Sequence, residues 1–196
     1  MIIDISQEIL SCSVYPGDSA PSAYKVMDMS RGDLYNLTNF SMCAHNGTHI
    51  DAPRHFIKDG KTVDMLPLSS FVGDCFVAHH TGVMSAGDAA EIVTLAQQAG
   101  AFQRILIAGD SVVTQQAAQI FADSKILLLG VESQSVGPID APMAVHKILL
   151  SQDIVLLEGL VLENIPQGRY FLSAQPLNIS GAEGAPCRAI LIGDDI

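Results

Sequence analysis

A chain of 196 residues fits one domain and is long enough to bury a substantial core. Its hydrophobic fraction of 48%, charged fraction of 16% and mean hydropathy of +0.32 lie at the apolar end of globular proteins, and 21 acidic against 10 basic residues give a net charge of −11 with no basic block. That balance excludes nucleic acid and anionic membrane surfaces as partners, and the scarcity of charge points to surface covered in a homo-oligomer, a dimer or tetramer.

No apolar run approaches the ~18 residues of a membrane span, and Met1-Ile2-Ile3-Asp4-Ile5 lacks a basic leader region, so a cytoplasmic location is expected. Cys12, Cys43, Cys75 and Cys187 are widely spaced without a C-x-x-C, which suggests neither a disulfide framework nor a thiolate zinc site.

The chain opens with a short strand from Ile2 to Ile5 and then reaches Val14-Tyr15-Pro16-Gly17-Asp18, where Pro-Gly marks a turn. Strand-like patterns run from Tyr24 to Met29 and from Leu37 to Ala44. The second leads into Cys43-Ala44-His45-Asn46-Gly47-Thr48-His49-Ile50-Asp51-Ala52-Pro53-Arg54-His55-Phe56, with three of the six histidines and an aspartate in the pattern H-x3-H-x-D-x3-H. His45, His49, Asp51 and His55 share one parity, so an extended chain turns all four to one face. Gly47, the β-branched Thr48 and Ile50, and Pro53 argue against a helix. A straight strand would hold His45 and His49 roughly 13 Å apart, too far for one ion, so the backbone must bend, and Gly47 permits the bend. Imidazole and carboxylate suit zinc, manganese or iron, which makes this stretch a candidate metal site. The competing reading is a histidine-rich strand whose side chains are merely hydrogen-bonded.

Lys58-Asp59-Gly60-Lys61 is a turn, and Val63 to Leu68 a connecting segment. Cys75 to His79, Ile105 to Ala108, Ile126 to Leu129 and Ile154 to Leu157 are short apolar runs suited to buried strands. Helices are predicted between them. The first runs from about Asp88 to Gln98, with Asp88 or Ser85 as cap and Gly100 as stop; the second covers Thr114 to Ala122, and the third Pro142 to Leu150. Such alternation implies right-handed crossovers and a parallel portion of sheet. Arg169 to Ala174, Leu177 to Ile179 and Ala189 to Ile192 follow with no helix between them, which predicts an antiparallel second sheet. With no linker, repeat or low-complexity tract, residues 1–196 read as a single α/β domain with mixed sheets.

The best downstream ligand candidates are His146, on the third helix, and Glu158, which ends the apolar run Ile154-Val155-Leu156-Leu157 where α/β proteins commonly place their chemistry. A carboxylate there is expensive to bury without a partner. On spacing alone His146 fits a core or capping histidine as well as a ligand. Asp110, Glu132 and Ser135 follow buried strands and are candidates for orienting ligands, with solvated loop ends as the alternative. No G-x-S-x-G elbow for a serine hydrolase occurs. Cys43 beside His45 suggests a thiol nucleophile, but a histidine two residues along a strand is better explained as a ligand.

His45 through Phe56 matches H-x-G-T-H-x-D-x-P-x-H-F at every fixed position, and in this the chain resembles the cyclase family of metal-dependent hydrolases, which includes bacterial kynurenine formamidases and isatin hydrolases. The likeness extends to a histidine followed twelve positions later by a glutamate, here His146 and Glu158. It implies a swivelling β/β/α fold and two divalent ions, zinc or manganese. His45, His49, Asp51 and Glu158 would hold one ion and Asp51, His146 and Glu158 the other, leaving His55 free as proton donor and acceptor. Where formamidases carry a tryptophan before the Pro-Gly turn this chain has Tyr15, expected to stack on the substrate. The activity implied is hydrolysis of an aryl formamide such as N-formylkynurenine by metal-activated water. Opening of a cyclic amide or imide is the alternative within the family, with Tyr15 and Arg54 as the discriminating pocket residues. A non-catalytic domain braced by metal is the alternative outside enzymology.

Overall fold

The computed structural model describes residues 1–193. The chain enters through β1 (Ile2–Asp4), passes the Tyr15 loop and forms a hairpin from β2 (Ser22–Met27) and β3 (Leu37–Ser41). A turn carrying His45 leads to β4 (His49–Asp51), and a connecting stretch with 3-10 turns leads to β5 (Val72–His79). Three crossovers follow. β6 (Gly82–Met84) and α1 (Ala86–Gln98) lead to β7 (Arg104–Ala108), β8 (Ser111–Val113) and α2 (Gln115–Asp123) to β9 (Leu128–Val131), and α3 (Met143–Leu150) to β10 (Val155–Glu158). The tail supplies β11 (Gly168–Ser173), β12 (Gly184–Pro186) and β13 (Ile190–Ile192).

Nine strands form one sheet in the order β1-β13-β11-β5-β7-β9-β10-β4-β12. β5, β7, β9 and β10 are parallel at its centre, joined by the helical crossovers, and antiparallel strands flank them on both sides. Alternate residues of the central strands serve two cores. Phe76, Ala78, Ile105, Ile107, Leu129 and Leu156 pack under the helices, whereas Cys75, Val77, Leu106, Leu128, Val155 and Leu157 point to the other face. The sheet curls around that second core: beyond β1 the Ile5 carbonyl accepts from Val161 N–H and Ser6 pairs with Leu160, just past the end of β10.

The helices start where their caps dictate. Ser85 is the N-cap of α1, and Asp88 answers it in a reciprocal capping box, so both cap candidates take part. Thr114 caps α2 through Ala117 N–H.

The tail corrects the expectation of a second sheet, because β11, β12 and β13 all join the main one. Leu177 to Ile179 forms no strand, while Gly184–Pro186 does, by pairing with β4 in the register Gly184↔Asp51. That strand owes its conformation to its partner and not to an apolar pattern of its own. β9 begins at Leu128 where the apolar run predicted Ile126, which is buried just ahead of the ladder.

Candidate metal centre

Three elements converge on one buried point. β4 brings His49 and Asp51, the end of β10 brings Glu158, and the inward face of α3 brings His146. The bend inferred at Gly47 is present: its φ is +61°, a left-handed conformation, and a side chain there would collide with Cys12 Cβ at 2.9 Å. The turn swings His45 back over the strand, so that its Nδ1 lies 2.8 Å from Asp51 Oδ1. Pro53 opens a 3-10 turn, Pro53–His55, which lifts His55 off the strand line and holds its Nε2 3.8 Å from Asp51 Oδ2.

The remaining distances describe a tight cluster. His49 Nε2 is 3.4 Å from Asp51 Oδ1 and 3.5 Å from Glu158 Oε2, and His146 Nε2 is 3.6 Å from Asp51 Oδ2 and 3.3 Å from Glu158 Oε1. Ligand bonds of ~2.0–2.2 Å in tetrahedral geometry put donor atoms roughly 3.3–3.6 Å apart, the spacing seen here. His45, His49 and Asp51 form one group of donors with metal-ligating spacing, and Asp51, His146 and Glu158 form another. Asp51 belongs to both. Each carboxylate oxygen of Glu158 faces a different histidine, and Oε1 also accepts Val136 N–H at 2.7 Å.

Asp51 is fully buried, yet its Oδ2 has no hydrogen-bond partner among the described residues. A buried carboxylate oxygen left unpaired is costly, and every polar side chain around it is of a type that coordinates cations. The donor set therefore fits divalent metal. The histidines and carboxylates of the cluster shift one another's pKa values. Burial pulls the His49 and His146 imidazolium forms down, but hydrogen bonds and charge from Asp51 and Glu158 outweigh it and raise both pKa values to about 10. His45 is raised for the same reason against its own burial, chiefly by its hydrogen bond to Asp51. Asp51 and Glu158 move the other way: burial opposes their ionisation, and the surrounding histidines still hold both below the ordinary carboxylate range. His55 differs, because burial and the charges of His45 and His146 depress its pKa despite the nearby carboxylates.

A cavity of about 210 Å³ opens onto the cluster. An apolar cavity of ~150 Å³ holds one benzene ring, so this one accommodates a ring and a few further atoms. Tyr15 lines it, and its hydroxyl donates to the Ile139 carbonyl at 2.7 Å. Phe56, Asp18, Gln134 and Pro142 also line it, and Ser135 Oγ and Gln134 Oε1 are buried with no partner among the described residues. Phe56 ends the histidine motif, Asp18 ends the Pro-Gly turn, and Gln134 and Ser135 share the segment that follows β9.

Other candidates are placed elsewhere. Arg54 is exposed, donates to the Lys58 carbonyl and does not line this cavity. Glu132 accepts Gly109 N–H at 2.6 Å and Leu162 N–H at 2.7 Å, tying together the segments that follow β7 and β10, and neither it nor Asp110 lines the cavity. The Cys43 thiol contacts Asp18 at 3.6 Å, with no histidine hydrogen bond.

Fold and site together define a single-chain α/β protein with a histidine–carboxylate centre of the metal-dependent hydrolase type. The chain belongs to the cyclase family: the Cyclase family model matches residues 3–106. It is 37% identical over 206 residues to a kynurenine formamidase of Salinibacter ruber, covering 97% of this chain and 96% of that one. It is 33% identical over 200 residues to a kynurenine formamidase of Erythrobacter litoralis, covering 97% and 93%. The solved structure of isatin hydrolase A from Labrenzia aggregata, bound to benzyl benzoate, shares the fold at a TM-score of 0.84 and 21% identity, covering 99% of this chain and 94% of that one.

Proposed function

We propose that this protein is an amidohydrolase that cleaves an aryl formamide such as N-formylkynurenine, using two divalent ions, zinc or manganese. The observation that carries the reading is the unpaired buried Oδ2 of Asp51 at the meeting point of two histidine–carboxylate groups. His45, His49, Asp51 and Glu158 would hold one ion and Asp51, His146 and Glu158 the second. The chemistry that cations supply in such a setting is hydroxide at neutral pH and stabilisation of charge on a carbonyl oxygen. The alignment of 97% of this chain with two relatives named kynurenine formamidase, at 33% and 37% identity, supports the substrate class.

The chain's own residues do the rest. Tyr15 and Phe56 flank the cavity and would hold an aromatic ring, while Gln134 and Ser135 offer unpaired polar atoms to the amide. His55 lines the cavity beside Asp51 and accepts a proton as water adds to the formyl carbon. The resulting imidazolium returns that proton to the departing nitrogen as the carbon–nitrogen bond breaks, releasing formate and an aryl amine. A metal-braced binding domain has no use for such an uncoordinated histidine facing the pocket.

We further propose a homo-oligomer, and a cytoplasmic setting in keeping with four free cysteines. No described helix is long and apolar enough to cross a membrane. The test is elemental analysis of protein purified without chelator, together with turnover of N-formylkynurenine, isatin and dihydropyrimidine-type rings. Up to two metals per chain and preference for the formamide are expected. Full activity in metal-free protein would end the reading, and faster opening of isatin would move the substrate to cyclic amides.

A further inference from the structure

The three candidate ligand histidines each turn one ring nitrogen toward the carboxylates and the other toward an acceptor. For His49 the outward Nδ1 meets the Gly47 carbonyl at 2.9 Å, and for His146 it meets the Pro142 carbonyl at 2.9 Å. His45 is inverted. Its Nδ1 faces Asp51 and its outward Nε2 lies 3.3 Å from Glu183 Oε1, so its acceptor is a side chain.

We propose that Glu183 is a positioning residue that accepts the His45 Nε2–H and so fixes His45 in the tautomer whose Nδ1 lone pair points into the metal site. The inference rests on the metal reading given above. Three further observations support it. The Glu183 backbone is tied to the metal strand, because its carbonyl accepts Ala52 N–H at 2.8 Å. The next residue, Gly184, lies directly under the His45 ring, where a Cβ would come within 2.6 Å of Cε1 and 3.1 Å of Nε2. The ring also stacks on His55, with centroids 4.2 Å apart and planes tilted by 30°. Packing thus fixes the plane of the imidazole but leaves open which nitrogen carries the proton. Glu183 decides it. A carboxylate acceptor also makes the ring a stronger base, and therefore a better ligand, than a carbonyl would.

The experiment compares wild type, E183A and E183Q, first stripped with chelator and then titrated with zinc in a calorimeter. Loss of such an outer acceptor costs about 10- to 100-fold in metal affinity, so E183A should weaken one zinc event by that factor. E183Q retains an acceptor oxygen and should recover most of the loss. Nitrogen-15 spectra of the zinc-loaded wild type should show His45 metallated at Nδ1 and protonated at Nε2, and E183A should show a mixture of tautomers. Wild-type zinc affinity in E183A, or Nε2 metallation in the wild type, overturns the proposal and leaves the metal reading intact. Equal weakening in both variants, with lowered melting of the metal-free protein, overturns it in favour of a structural role. A wild type that binds no zinc overturns both readings.

Discussion

His55 is set apart from the other histidines of the cluster by position and by charge. It sits on the 3-10 turn after β4, lies outside both groups of close donor atoms, and has a depressed pKa where its three neighbours are raised. A histidine that faces the cavity from outside the donor groups can take a proton and return it, whereas a ligand cannot leave its ion to do so. His55→Ala should therefore keep its full metal content and lose about 10²–10⁴-fold in kcat, the usual worth of general acid–base catalysis. Asp51→Ala makes the contrast, since the residue shared by both donor groups should take both ions with it. Elemental analysis beside steady-state kinetics reads the two together. Stoichiometric metal loss in His55→Ala would make it a ligand, and unchanged turnover would remove it from the mechanism.

At the scale of elements, packing and site chemistry separate cleanly. α2 carries Phe121, fully buried among the residues that pack the helices onto the sheet, and it contributes nothing to the cavity. Phe121→Ala should cost about 3–5 kcal/mol, seen as a lower denaturant midpoint at unchanged slope, while folded protein keeps its metal stoichiometry. Elements of this kind were legible in the sequence because their signals are local. Thr114 and Ser85 announce helix starts, and apolar runs announce the buried parallel strands. The first half of the site was legible for the same reason, since His45, His49, Asp51 and His55 lie within eleven residues. What escaped reading depends on distant partners. β12 is extended because β4 lies beside it, and Glu183 reaches His45 only through that pairing, 138 residues away. No local pattern encodes either.

For the molecule as a whole, the unbalanced feature is the β2–β3 hairpin. Among the described residues it pairs with no third strand, and every residue of its two strands is exposed except the half-buried Met27. A lone two-stranded hairpin is marginal in water, yet this one carries Tyr24, Val26, Leu37 and Phe40 on its strands and Met29, Leu34 and Tyr35 in its connection, all exposed. The register pairs Ala23 with Phe40 and Tyr24 with Asn39, so Phe40 and Tyr24 lie on opposite faces, and both faces of the hairpin carry exposed apolar side chains. Lys25 and Arg31 both face Asp28 within the hairpin, so these charges are paired locally and any association through the hairpin would rest on apolar contact. A second copy of the chain supplies a matching surface by symmetry. Light scattering should accordingly report a dimer or larger assembly of the 20.8 kDa chain, and the double variant Tyr24→Asp, Phe40→Asp should shift it toward monomer with an unchanged circular dichroism spectrum. A wild type that stays monomeric across working concentrations contradicts the assembly. A double variant that assembles as the wild type does moves the interface away from the hairpin.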